Sequence, residues 1–146
     1  MLRLPPPIWA LVYVLACTGL SALLGWPAGP HSVPIGAAVT LLGWAPPIMA
    51  ILLFRKLGAE IQPTSETNKA LITTGPYRFT RNPMYLGLVI VTFGLALWVG
   101  WWPMLLAPAL VFATANFVHI PFEEAKMHRQ FGEAFEAYTR RVRRWI

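Results

Sequence analysis

Four long apolar runs, separated by short polar stretches, set the pattern of this chain. They cover Ile8–Gly25, Val33–Phe54, Met84–Val99 and Trp102–Ile120. At about 1.5 Å per residue, roughly 18–20 residues cross the ~30 Å hydrocarbon core of a bilayer. The pattern therefore predicts an all-α integral membrane protein with four transmembrane helices, organised as a single membrane domain over residues 1–146. The third run is short, and its tyrosine and tryptophan ends suit the membrane interface. Only Gly100 and Trp101 separate runs three and four, which predicts a tight antiparallel hairpin. Pro5-Pro6-Pro7 leads into the first helix. Pro46-Pro47 lies within the second run, where missing N–H groups predict a kink or a division, either for packing or to open a ligand cavity.

Two polar segments complete the pattern. Residues 55–83 are rich in Gly, Pro, Thr, Ser and Asn and show no clear periodicity, which predicts a long loop. In the tail, Met127, Phe131, Phe135, Tyr138, Val142 and Trp145 recur every three or four residues. That spacing predicts an amphipathic cytoplasmic helix over 121–146, with Pro121 in its first turn and a modest interruption at Gly132.

Composition strengthens the membrane reading. The chain is 56% hydrophobic and 12% charged, against about a quarter charged in soluble domains. All twelve lysines and arginines fall outside the Trp26–Ser32 loop and the Gly100–Trp101 turn. The positive-inside rule then puts both termini and the 55–83 loop in the cytosol. The expected location is the plasma membrane of a prokaryote. The +6 net charge is explained by topology and contact with anionic membrane lipids, without nucleic acid. Cys17 is the sole cysteine, so no disulfide forms within the chain and no thiol metal site is expected. Val14-Leu15-Ala16-Cys17 faintly resembles a lipoprotein cleavage signal, but the bulky Leu15 favours a retained first span.

Candidate chemistry gathers where the spans meet polar sequence. Gly75-Pro76-Tyr77-Arg78-Phe79-Thr80-Arg81-Asn82-Pro83-Met84-Tyr85 sets arginines, tyrosines and an Asn-Pro pair at the mouth of the third run. Arg78 suits lipid phosphate. Arg81, restrained by the following Asn-Pro, suits a carboxylate or phosphate. Tyr77 and Tyr85 are interfacial belt residues or walls of a nucleoside site. Glu123 and Glu124 either complement a helix start or accept hydrogen bonds from ligand hydroxyls. His119 is a polar anchor or a base. No run carries Asp, Glu, Lys or Arg at mid-depth, which argues against a proton-coupled transporter. GxSxG, HExxH, P-loop and GxGxxG motifs are all missing.

Leu71-Ile72-Thr73-Thr74-Gly75-Pro76-Tyr77 and Arg81-Asn82-Pro83-Met84-Tyr85-Leu86-Gly87 resemble the isoprenylcysteine carboxyl methyltransferase and phospholipid methyltransferase superfamily. Glu123-Glu124, Phe131-Gly132, Tyr138 and Val142-Arg143-Arg144-Trp145 fit the same superfamily, so the resemblance covers residues 62–146. It implies a methyltransferase that holds S-adenosylmethionine at the cytoplasmic ends of the last two spans. Gln62, Lys69, Ala70, Leu71 and Ile72 would line the cofactor from the loop. Tyr77, Asn82, Pro83, Met84 and Tyr85 would hold its two halves, and Glu123 with Glu124 would close the site. His119 and Arg81 are the candidate catalytic side chains, with His119 or Glu123 as the group that assists deprotonation. The acceptor would be a lipid or lipophilic small molecule carrying O, N or S. Asn82 stands where many members have His, and His119 where the prenylcysteine enzymes have an arginine for the substrate carboxylate. The competing readings are a non-catalytic cofactor- or lipid-binding protein of this fold and a nicotinamide-dependent membrane reductase. Oligomeric state is open.

Overall fold

The computed structural model describes residues 5–57 and 71–146. Among them lie seven α-helices: α1 (Pro6–Leu23), α2 (Val33–Gly43), α3 (Ala45–Leu57), α4 (Pro83–Val99), α5 (Leu106–Thr114), α6 (Ile120–Phe131) and α7 (Glu133–Arg141). Short 3₁₀ turns occupy Gly75–Arg78 and Trp102–Leu105, and a π-helical segment covers Ala115–His119. Three helical stretches, Pro6–Leu23, Val33–Leu57 and Trp102–Phe131, are long and apolar enough to cross a membrane, and Pro83–Val99 is a shorter fourth.

The side chains are sorted for a lipid surroundings. Leu23, Leu41 and Phe117 stand 86%, 73% and 72% exposed, while Ser21, Thr40 and Thr92 are buried. The buried hydroxyls donate to carbonyls of their own helices: Ser21 to Cys17, Thr40 to Gly36 and Thr92 to Leu88, each at 2.8 Å. Apolar groups outside and satisfied polar groups inside are what a hydrocarbon solvent demands.

Close backbone approach joins α2 to α4. Gly36 and Gly43 on α2 face Gly87 and Gly94 on α4, both pairs seven residues apart. A Cβ on Gly36 would stand 2.5 Å from the Trp98 nitrogen, and one on Gly94 the same distance from the Thr40 nitrogen. A Cβ on Gly87 would collide with the Pro47 ring. Small residues at such a seam supply the packing that membrane helices lack from hydrophobic driving force. At the end of the bundle opposite Tyr85, the Gly29 N–H donates to the Gly100 carbonyl at 2.7 Å and the Trp102 N–H to Pro27 at 3.1 Å. The Trp26 and Trp101 rings meet there at 4.3 Å.

The second run divides at Trp44, as its prolines require. The Trp44 N–H turns to Leu41 at 3.2 Å, and regular bonding resumes with Ile48 to Trp44 at 3.1 Å. Two expectations are corrected. Pro121 stands in the first turn of α6, as expected, but no break sets that helix apart from the fourth apolar run. The fourth span opens as a 3₁₀ turn, continues through α5 and the π segment, and runs through Pro121 to Phe131. Proline cannot donate to the carbonyl one turn back, and the widened turn just before it removes that clash. Nor does one amphipathic helix cover the tail. Gly132, at φ 49°, ends α6. After α7, Val142 is extended and the last residues fold back onto the bundle, so Trp145 lies against Phe112 with ring centroids 4.8 Å apart.

Candidate functional site

The site forms where the chain enters α4 and where the π segment passes into α6. Pro83 stands in the first turn of α4, where its missing N–H costs no bond, and the Leu86 N–H returns to the Asn82 carbonyl at 3.0 Å. This start fixes Tyr85 in the first turn, 4% exposed and aimed inward. Its hydroxyl donates to Glu123 Oε1 at 2.5 Å. Two segments 38 residues apart therefore meet at one short bond.

Tyr77 joins from the 3₁₀ turn. The Tyr138 hydroxyl donates to its carbonyl at 2.7 Å, and the Phe54 ring meets its ring edge-on at 5.9 Å. Burial pushes the Tyr77 phenol well above its ordinary range, and the negative charge of Glu123 adds to the effect. Burial also pushes the Tyr138 phenol up to about 12, against the opposing pull of Arg81. Both phenols stay protonated, as donors, across the physiological range.

On the other side of Tyr85 is an aromatic stack. Trp9 lies nearly parallel to His119 at 5.1 Å between centroids, and Tyr85 stands 6.4 Å from Trp9 and 6.0 Å from His119. Both Trp9 and His119 are buried. Helix α1 is held there by a 2.7 Å bond between the Tyr13 hydroxyl and Thr114 Oγ1.

The two neighbouring glutamates do different things. Glu124 carries the ion pairs: Arg81 Nη1 lies 3.0 Å from its Oε1 and Arg144 Nη2 2.5 Å from its Oε2. Arg144 is further placed by Asn116 Oδ1 at 3.5 Å, which also accepts from the Trp145 indole at 3.0 Å. The tail is bound through its backbone as well. Asn82 Nδ2 donates to the Arg144 carbonyl at 3.0 Å, Thr80 Oγ1 to the same carbonyl at 3.1 Å, and the Arg81 N–H to Arg143 at 3.0 Å.

Among the expected site residues, Tyr77, Tyr85, Glu123 and His119 come together. Asn82 and Pro83 form the base of α4, with the Asn82 side chain turned to the tail. Met84 is half-buried beside them, and Leu71 and Ile72 precede the 3₁₀ turn with Ile72 buried. Arg81 and Glu124 face each other. Gln62, Lys69 and Ala70 lie outside the described residues. Sequence reasoning missed Trp9 and did not see that Arg144 and Trp145 close over the site. Trp9, in the first turns of α1, shares a depth with Tyr85 and His119, and that signal was available.

The phospholipid methyltransferase family matches residues 33–134. The chain belongs to that family. It is a membrane methyltransferase by that membership, built on apolar helices able to span a bilayer. No curated protein and no solved structure matches it. The family match takes in Tyr77, Tyr85, His119 and Glu123, whereas Trp9, Arg144 and Trp145 lie beyond its ends.

Proposed function

We propose that the protein uses S-adenosylmethionine to methylate a lipophilic or small amphiphilic acceptor that reaches it from the bilayer. The observation that carries this is the bond between Tyr85 and Glu123, with Tyr77 adjacent. The residues present suit the cofactor. Glu123 can accept hydrogen bonds from ligand hydroxyls, and the faces of Tyr77, Tyr85 and His119 favour a cation held against them. Glu124 pairs with both Arg81 and Arg144 next door and offsets one of their two positive charges.

When bound, the cofactor supplies an activated methyl group on a cationic sulfur. Tyr85 orients Glu123 for the ligand hydroxyls. Tyr138 and Phe54 fix Tyr77 as a wall. The tail residues Arg144 and Trp145 hold the helix starts around the site and keep water out. Rate enhancement comes from this positioning and from the dry surroundings. The cofactor enters from the cytosol, the side to which the positive-inside rule assigns the 55–83 loop.

The test is labelling of the host lipid and small-molecule pool with methyl-deuterated methionine, with and without the protein, read by mass spectrometry. A product heavier by one labelled methyl group, dependent on Glu123, is expected. Purified protein that binds neither S-adenosylmethionine nor S-adenosylhomocysteine overturns the proposal.

A further inference from the structure

We infer that a collar of cationic side chains around Tyr77 docks acidic phospholipids of the surrounding leaflet, and that their head groups hold the tail against the start of α4. Three segments meet at Tyr77. Its ring faces Phe54 near the end of α3, and its carbonyl accepts the hydroxyl of Tyr138 from α7. Four residues on, the Arg81 N–H donates to the Arg143 carbonyl at 3.0 Å. Each segment brings exposed cations to this junction. Arg55 and Lys56 stand on α3, Arg78 on the 3₁₀ turn, and Arg140, Arg141 and Arg143 at the end of α7 and in the tail. Among the described residues no salt bridge reaches any of the six. The described acidic side chains are engaged elsewhere or stand apart. Glu123 bonds to Tyr85, Glu124 to Arg81 and Arg144, and Glu136 to His128. Glu133 opens α7 at the end away from Arg140.

Like charges on segments that pack together repel, and an anion docked among them relieves that repulsion. What stands between the cations selects the anion. Leu57 follows Lys56, Phe79 follows Arg78, and Ile146 closes the tail; they are 53%, 77% and 78% exposed. Trp145 rests on Phe112, within a stretch able to cross the membrane, so the tail runs along the apolar surface of the bundle. A phospholipid answers both features, with phosphate for the guanidinium groups and acyl carbon for the exposed apolar side chains. A soluble polyanion would leave those side chains in water. A zwitterionic head group cancels its own phosphate charge, so an acidic lipid is the one that offsets the collar.

Electron paramagnetic resonance on the full chain in phosphatidylcholine vesicles tests the docking. Phosphatidylglycerol spin-labelled on its acyl chain is compared with phosphatidylcholine labelled in the same way, and the motionally restricted fractions give their relative association. The acidic lipid should be preferred about threefold or more at low salt, and the preference should shrink at high salt. Arg78→Gln, Arg140→Gln, Arg141→Gln and Arg143→Gln combined should cut the preference by at least half, while lysine at the same four positions should keep most of it. The hold on the tail is read by hydrogen exchange in nanodiscs. Phosphatidylglycerol should slow exchange in the peptide spanning residues 75–82, which includes the Arg81 N–H, in the native protein and not in the glutamine variant. Equal association of the two lipids with the native protein, or a preference that survives undiminished in the glutamine variant, overturns the docking. Exchange that is the same in both kinds of disc overturns the hold on the tail. Neither readout involves the cofactor, so both outcomes are independent of the methyltransferase reading.

Discussion

At about pH 8.5, where the carboxylate is ionised, replacing Glu123 with glutamine removes one charge and leaves an oxygen that can still accept the Tyr85 proton. In the native protein that bond is 2.5 Å long. Hydrogen bonds to an ionised acceptor contribute ~1.5–3 kcal/mol, against ~0.5–1.5 kcal/mol between neutral groups. Each ligand hydroxyl bonded to this side chain should therefore lose about 1–1.5 kcal/mol. Since 1.4 kcal/mol is tenfold in affinity, one or two such bonds raise Kd by roughly 5- to 140-fold. S-adenosylmethionine should lose more than S-adenosylhomocysteine, because only the first carries a positive sulfur facing the missing charge. Calorimetry in nanodiscs with both ligands, on variant and parent protein of matched gel-filtration profile, reads the two losses. Affinities within twofold of the parent for both ligands would refute the reasoning. An equal loss for both would refute its charge component alone.

Three other outcomes are expected. Gly94→Val forces its side chain into Thr40, whose nitrogen would be 2.5 Å from the new Cβ; stability should fall by about 1–3 kcal/mol in a denaturant titration, whereas Leu41→Val, on a side chain 73% exposed, should change little. Arg144→Ala leaves Glu124 with Arg81 alone and Asn116 with Trp145 alone, so the C-terminal residues should become sensitive to limited proteolysis, with unchanged cleavage counting against a closed tail. Because the folded Tyr138 phenol rises from its ordinary 10.0 to about 12, its stabilisation is complete below pH 10 and is lost as pH climbs through that window; Tyr138→Phe should flatten the alkaline limb of a stability-against-pH curve, and a curve of unchanged slope would contradict this origin.

The helical architecture was legible because apolar run length is a strong signal in a chain with so few charges. The kink at Trp44 followed from two adjacent prolines that cannot donate. Pro121 was rightly expected in a first turn, but nothing local announces that the preceding turn will widen and let the helix run on from the fourth apolar run. The tail misled for a related reason. Its three-and-four spacing is real, but the positive φ of Gly132 and the pull of Glu124 and Asn116 are tertiary facts. The glycine seam was also readable in principle, since Gly36, Gly43, Gly87 and Gly94 share one interval, but pairing the two helices needed their depths. In the site, the motif residues Tyr77, Tyr85 and Glu123 stood out as polar groups at span ends. Glu124 could not be separated from Glu123 by sequence, because adjacent positions on a helix point about 100° apart and only the partners decide their roles.

The central claim is that one small cofactor rests against Tyr85 and Glu123. Ultraviolet crosslinking with methyl-tritiated S-adenosylmethionine, followed by peptide mapping, tests it most directly. The account predicts label on peptides containing Tyr77, Tyr85 or Glu123, removed by excess S-adenosylhomocysteine. Competable label confined to the Trp26–Ser32 or Gly100–Trp102 end would contradict it.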